Sequence, residues 1–167
     1  MELIIYPNPI LSQKCDDVKE DDPSVQDILH EMSCKLYEWN GAGLAAPQVG
    51  VLKRIVVVDI RAEPQRLYKM INPKIIWKSE KIVESKEGCL SLPILREVVK
   101  RHESVVIEYW DENFARHEEK ASDFLSFCFQ HELDHLDGIL YIDHLSRLKK
   151  ARTTKKFEKL QKENEEQ

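Results

Sequence analysis

The sequence predicts an α+β fold, with mainly antiparallel sheets packed around a central helix and a further helix at the C-terminus. Three observations predict it. Apolar residues recur at helical spacing in two segments, around Val25–Leu36 and Phe124–His135. Between them lie short β-branched runs separated by turn residues, in hairpin order rather than crossover order. No internal repeat or Gly/Ser linker divides the 167 residues, so the chain reads as a single domain over 1–167.

The elements follow in order. Asp22 is placed to cap the first helix, with Pro23 in its first turn. Val25, Ile28, Leu29, Met32 and Leu36 share one face, and Asn40-Gly41 is a natural stop. Arg54–Ile60, RIVVVDI, reads as a buried strand. Tyr68–Ser79 and Lys81–Lys86 read as a hairpin turning at Ser79-Glu80. REVVKR and SVVIEYW follow as strands; in the second, Val105, Ile107 and Tyr109 alternate with Val106, Glu108 and Trp110. Asp111–Phe114 supplies turn chemistry, with Asn113 suited to a positive φ. Ser122 is expected to cap a second helix running through Asp137, closed by Gly138. A third, strongly basic helix is expected over 146–164.

Bulk composition excludes more than it selects. A net charge of −5 gives no whole-surface attraction to nucleic acid or to an anionic membrane, and specific DNA binding is not expected. No apolar run is long enough to span a bilayer. Met1–Ser12 carries Glu2 and two prolines, unlike a secretory signal, which places the protein in the cytoplasm. Cys15, Cys34, Cys89 and Cys128 form no CxxC pair and are expected to be thiols.

The chemistry concentrates in Gln130–Gly138, QHELDHLDG. His131 and His135 are four apart, so on a helix they project from one face and can bind one divalent ion. Glu132, beside the first, can act as general base on a water whose pKa the ion brings to near 7. The competing reading is a surface helix with incidental histidines, but the pair follows the apolar FLSFCF, which implies burial and a need for partners.

Two imidazoles leave a catalytic ion one protein ligand short. Cys89, in KEGCLSLP, follows a glycine and precedes Pro93; the residues alone leave it open as third ligand or as core thiol. Cys128 also competes, but it would crowd His131 from the same helix and reads better as an apolar pocket wall with Phe124 and Phe127. In GAGLAAPQVG, Gly41 and Gly43 allow close backbone approach, and Gln48 offers a neutral donor for charge on a carbonyl oxygen. Taken alone, that stretch reads first as a tight helix-to-strand connection with a solvated glutamine.

Taken together, GAGLAAPQ, EGCLS and QHELDH, in this order and spacing, closely resemble the three motifs of the peptide deformylase family. The similarity extends through most of the chain, including INP at Ile71–Pro73. The resemblance implies that Cys89, His131 and His135 hold the metal, with ferrous iron the family's usual ion and zinc, nickel or cobalt as substitutes. It implies that Glu132 takes the proton of the attacking water and passes it to the leaving amine. Gln48 and the backbone N–H of Leu90 would hold the oxyanion. Backbone groups around Gly41, Gly43, Leu44 and Gly88 would align the peptide, Arg96 would sit near the entrance, and Phe124, Phe127 and Cys128 would receive the methionine. The implied reaction removes formyl from N-formylmethionine on new polypeptides.

There are departures from the family pattern. Asp123–Ser126, DFLS, stands where many members have Gly-Leu-Leu-Ala, and Phe127 is larger than the usual aliphatic residue, so a smaller methionine pocket or an altered preference is expected. Asn113 replaces a turn glycine. Basic residues from Arg147 to Lys162 suit the ribosome contact made by the C-terminal helix of some members, with a solvated amphipathic helix as the other reading. Two further functions compete, a zinc peptidase acting on internal bonds and a metal-binding or ribosome-associated protein without turnover.

Overall fold

The computed structural model describes residues 1–165. Helix α1 (Val25–Glu38) precedes strands β1 (Gly43–Ala45), β2 (Ile55–Val58), β3 (Tyr68–Lys78), β4 (Ile82–Cys89), β5 (Leu92–His102), β6 (Ser104–Trp110) and β7 (Arg116–Ser122). Helices α2 (Asp123–Leu136) and α3 (Arg147–Glu165) follow, joined by a 3-10 turn at Tyr141–His144. The two last residues of the chain, Glu166 and Gln167, lie outside the described residues.

Five strands form one antiparallel sheet in the order β1-β2-β3-β6-β7, while β4 and β5 pair alone. The expected hairpin at Ser79-Glu80 is therefore corrected, because β3 lies between β2 and β6 and β4 pairs forward with β5. Ser79 donates its N–H to Ser104 O (2.9 Å), which binds the end of β3 to β6. Met70 and Ile71 of β3 are fully buried beside β2 and the apolar face of β6; β4 brings polar Ser85 and Glu87 and could not cover them.

All four side chains of β2 are buried, because both faces of the sheet are covered. Val56 and Val58 pack with Phe129, Leu133 and Leu136 of α2, while Ile55 and Val57 pack with Ile28, Leu29, Met32 and Leu36 of α1. A third cluster lies under β5, where Leu92, Leu95 and Val99 meet Leu140, Tyr141, Ile142 and Phe157. Helix α2 thus touches the five-stranded sheet and also β5.

Local corrections have local causes. Helix α1 begins at Val25 behind Ser24, because the Asp22 carboxylate accepts from Ser24 N–H (3.0 Å) and Oγ (2.6 Å) instead of capping the helix. The helix stops at the expected Asn40-Gly41 pair, with Asn40 taking the left-handed conformation (φ 53°). The positive φ in the Asp111–Phe114 turn falls on Phe114 (55°); Asn113 donates its N–H to Asp111 Oδ1 (2.8 Å). Ser122 precedes α2 but pairs its hydroxyl with Ser104 Oγ (2.8 Å) rather than capping, and the helix ends at Leu136. Gly138 closes it at φ 72°, where a Cβ would meet Ser12 O at 2.5 Å.

Candidate active site

On α2 the rings of His131 and His135 lie with centroids 5.0 Å apart, one turn along the buried face. Cys89 ends β4, where the chain turns through Leu90 and Ser91 so that Cys89 pairs with Leu92. Gly88 makes that turn close, since a Cβ there would lie 3.3 Å from Leu95 O. The turn brings Cys89 Sγ to 3.4 Å from His135 Nε2, and the candidate ligand atoms of Cys89, His131 and His135 all lie within 4.8 Å of one another.

These donors fit a divalent ion. Around a tetrahedral ion, thiolate sulfur and imidazole nitrogen sit about 3.5 Å apart, close to the Cys89–His135 separation. One soft anionic donor with two imidazoles suits a transition metal and leaves a coordination position open. The ring of His131 is held in a ligating orientation. Its Nδ1 lies 2.9 Å from Glu87 Oε2, which assigns the ring proton to Nδ1 and leaves Nε2 free. Burial opposes charge on His131, but its bonds with Cys89 and Glu87 outweigh this and raise its proton affinity well above the ordinary value. Burial, followed by the nearby His131 and Arg101, pushes His135 well below it.

Glu87 is anchored in turn. Arg101 donates Nε and Nη2 to its two oxygens (2.7 and 2.9 Å) and Nη1 to Asp134 Oδ2 (2.6 Å); His144 Nε2 lies 2.7 Å from that same Asp134 oxygen. Burial of Glu87 would raise its pKa, but Arg101 and His131 hold it at about 2. Sequence reasoning missed Arg101, Asp134 and His144. A signal for Arg101 existed, since it is two residues from Val99 on a strand and so shares the inward face.

Glu132 is buried, and burial raises its carboxyl to about 7. Its Oε2 has no hydrogen-bond partner among the described residues. Gly43 leaves room for it: a Cβ at position 43 would lie 2.3 Å from Glu132 Oε1. Gln48 is buried rather than solvated; Oε1 accepts from Ala45 N–H (2.9 Å), while Nε2 donates to Ser91 Oγ (3.1 Å) and lies 3.4 Å from Cys89 Sγ.

Beside these groups opens a cleft of about 650 Å³, lined by Gly41, Gly43, Gln48, Gly88, Cys89, Leu90, Arg96, Phe124, Phe127, Cys128, His131 and Glu132 among others. Gly41 lies against Leu90, whose Cδ1 would be 2.9 Å from a Cβ there. The side chain of Leu44 is fully buried between α1 and β2, and its backbone lies on edge strand β1. Phe124 lines the cleft from its rim, where it is 55% exposed. Burial pushes the Cys128 thiol far up, as befits an inert wall. Trp39, Leu3, Ile5 and Ile94 also line the cleft and carried no sequence signal.

Comparison with known proteins gives one answer. The pattern of the family described as "Polypeptide deformylase" matches residues 1–151. A peptide deformylase of Thermodesulfovibrio yellowstonii is 44% identical over 159 residues, covering 94% of this chain and 96% of the relative. The crystal structure of a peptide deformylase from Legionella pneumophila superposes with a TM-score of 0.92 at 32% identity, covering 99% of this chain and 98% of that one. One from Ehrlichia chaffeensis, in complex with actinonin, gives 0.90 at 34% identity over 98% and 96%. With the family pattern covering residues 1–151 and relatives matched over nearly their whole length, around a cleft that gathers Cys89, His131, His135 and the buried Glu132, the chain belongs to the polypeptide deformylase family.

Proposed function

We propose that this chain hydrolyses the formamide of N-formylmethionyl polypeptides in the cytoplasm, releasing formate, with its cleft residues dividing the work as follows. The observation that carries the reading is Glu132: a buried carboxylate with an unpartnered oxygen, between two imidazoles on one helix and against Gly43 at the cleft. A divalent ion held by Cys89, His131 and His135 would supply Lewis acidity and a water of lowered pKa; ferrous iron suits the thiolate-containing set, with zinc, nickel or cobalt as substitutes.

Glu132 takes the proton of the attacking water and delivers it to the amine nitrogen as the formyl C–N bond breaks. Gln48 Nε2 donates to Ser91 Oγ and to Cys89 Sγ; with substrate bound, the N–H that faces the sulfur would turn to donate, with the Leu90 N–H, to the oxygen that becomes negative. Backbone groups near Gly41, Gly43, Leu44 and Gly88 align the extended chain, and Arg96 stands at the exposed rim. Phe127 and Cys128 receive the methionine side chain, with Phe124 at the rim where the chain leaves that pocket. Anaerobically prepared iron protein is expected to release formate from a formyl-Met peptide and to leave internal bonds intact. No formate from protein with full metal content would overturn the reading, and cleavage of internal bonds would replace it with a peptidase.

The outward face of α3 supports a transient ribosome contact. Arg147, Arg152, Lys155 and Lys156 enter no ion pair among the described residues, whereas Phe157 is buried on the opposite side. Arg152→Glu/Lys155→Glu/Lys156→Glu is expected to weaken co-sedimentation with ribosomes and to lower its salt dependence. Unchanged sedimentation leaves a solvated helix.

A further inference from the structure

Ile94 is anomalous in two independent ways. Its φ of 72° lies in the left-handed region, which β-branched residues strongly disfavour. Its side chain is 69% exposed, more than any other large apolar residue described. The backbone has a clear cause. Leu92 and Leu95 are both buried although three apart on one strand, so the alternation of β5 must break between them, and residue 94 supplies the break. Glycine or asparagine would supply it with less strain.

The isoleucine side chain itself has no such cause, since it is neither buried nor required by the turn. Strain of this kind persists where something else depends on it. Ile94 lines the same cleft as Cys89 and Glu132, and so does the exposed Phe124 of α2. Two exposed apolar side chains from different elements therefore line the cleft that holds the candidate metal site.

Resting on the reading of this cleft as a formylmethionyl site, we propose that Ile94 is a specificity-determining residue. It contacts an apolar side chain downstream of the methionine and, with Phe124, makes the protein favour substrates that carry one. A contact of this size corresponds to about tenfold in affinity.

The test compares formyl-Met-Ala-Leu with formyl-Met-Ala-Ser on the metal-loaded parent, Ile94→Asn and Ile94→Leu. The parent is expected to favour the leucine peptide about tenfold in kcat/KM, Ile94→Leu to keep that ratio, and Ile94→Asn to bring it to about twofold or less. Asparagine accepts the left-handed backbone, so Ile94→Asn is expected to melt no lower than the parent. Calorimetric binding of unformylated Met-Ala-Leu and Met-Ala-Ser reads the same ratio without turnover, so the role of Ile94 is decided even if no formate appears; formate release by the parent tests the activity reading separately. A parent with no preference, or a preference that survives Ile94→Asn, overturns the inference. So does an Ile94→Asn protein that melts lower and loses both peptides equally, which would mark a purely structural residue.

Discussion

Gly43 shows how much of the site depends on a missing side chain. A methyl group there would fall 2.3 Å from Glu132 Oε1, and the nearest yielding atoms belong to that carboxylate. Gly43→Ala is therefore expected to lower kcat by about 10²-fold, the scale of a displaced general base, while metal content stays at the parental level. Metal analysis beside formate assays checks this; equal loss of metal and activity would mean that the substitution disturbs α2 as a whole. Residue identity alone could nominate Glu132 and the two histidines, because their spacing is local. The anchoring of His131 through Glu87, Arg101 and Asp134 joins three elements, and no spacing rule connects residues 87, 101 and 134.

At the scale of elements, α2 separates two phenylalanines that composition treats alike. Phe129 is fully buried with its ring edge on Tyr68, at 5.2 Å between centroids, whereas Phe124 is 55% exposed. Phe129→Ala is expected to cost about 3–5 kcal/mol and Phe124→Ala under about 0.5 kcal/mol, read by urea unfolding. The start of α1 offers a pH prediction. A hydrogen bond from Lys53, then those from Ser24, hold Asp22 at about 2, below its ordinary 3.8. The folded pKa is the lower one, so this contribution is complete above 3.8 and is lost as pH falls towards 2. Asp22→Asn is expected to be less stable than the parent at pH 6 and indistinguishable from it near pH 2; a constant difference across that range would exclude the linkage.

The whole molecule explains the tail. Phe157 of α3 is 1% exposed and meets Tyr6 at 6.0 Å between ring centroids, so the C-terminal helix closes the cluster beneath β5, the strand that continues from the Cys89 turn. Deleting Lys155–Gln167 is expected to remove about 3–5 kcal/mol of stability, measured by urea unfolding, whatever it does to ribosome contact. A deletion that left stability intact would show that Phe157 adds nothing to the core. Such a truncation cannot report on docking alone, which is why charge reversal on the outer face is the cleaner test.

The sequence by itself determined the α+β class, both long apolar helix faces, the buried run at β2 and the three motifs, because each is written in periodicity or in neighbours a few residues apart. Only the tertiary structure decided that β4 pairs with β5 rather than β3, that Gln48 is buried against Ser91, that Leu44 faces the core and that Ile94 faces the cleft. Those outcomes turn on which strand covers which apolar face and on how the Cys89 turn meets α2. Such choices are made between residues far apart along the chain, where local preference carries no information about distance in space.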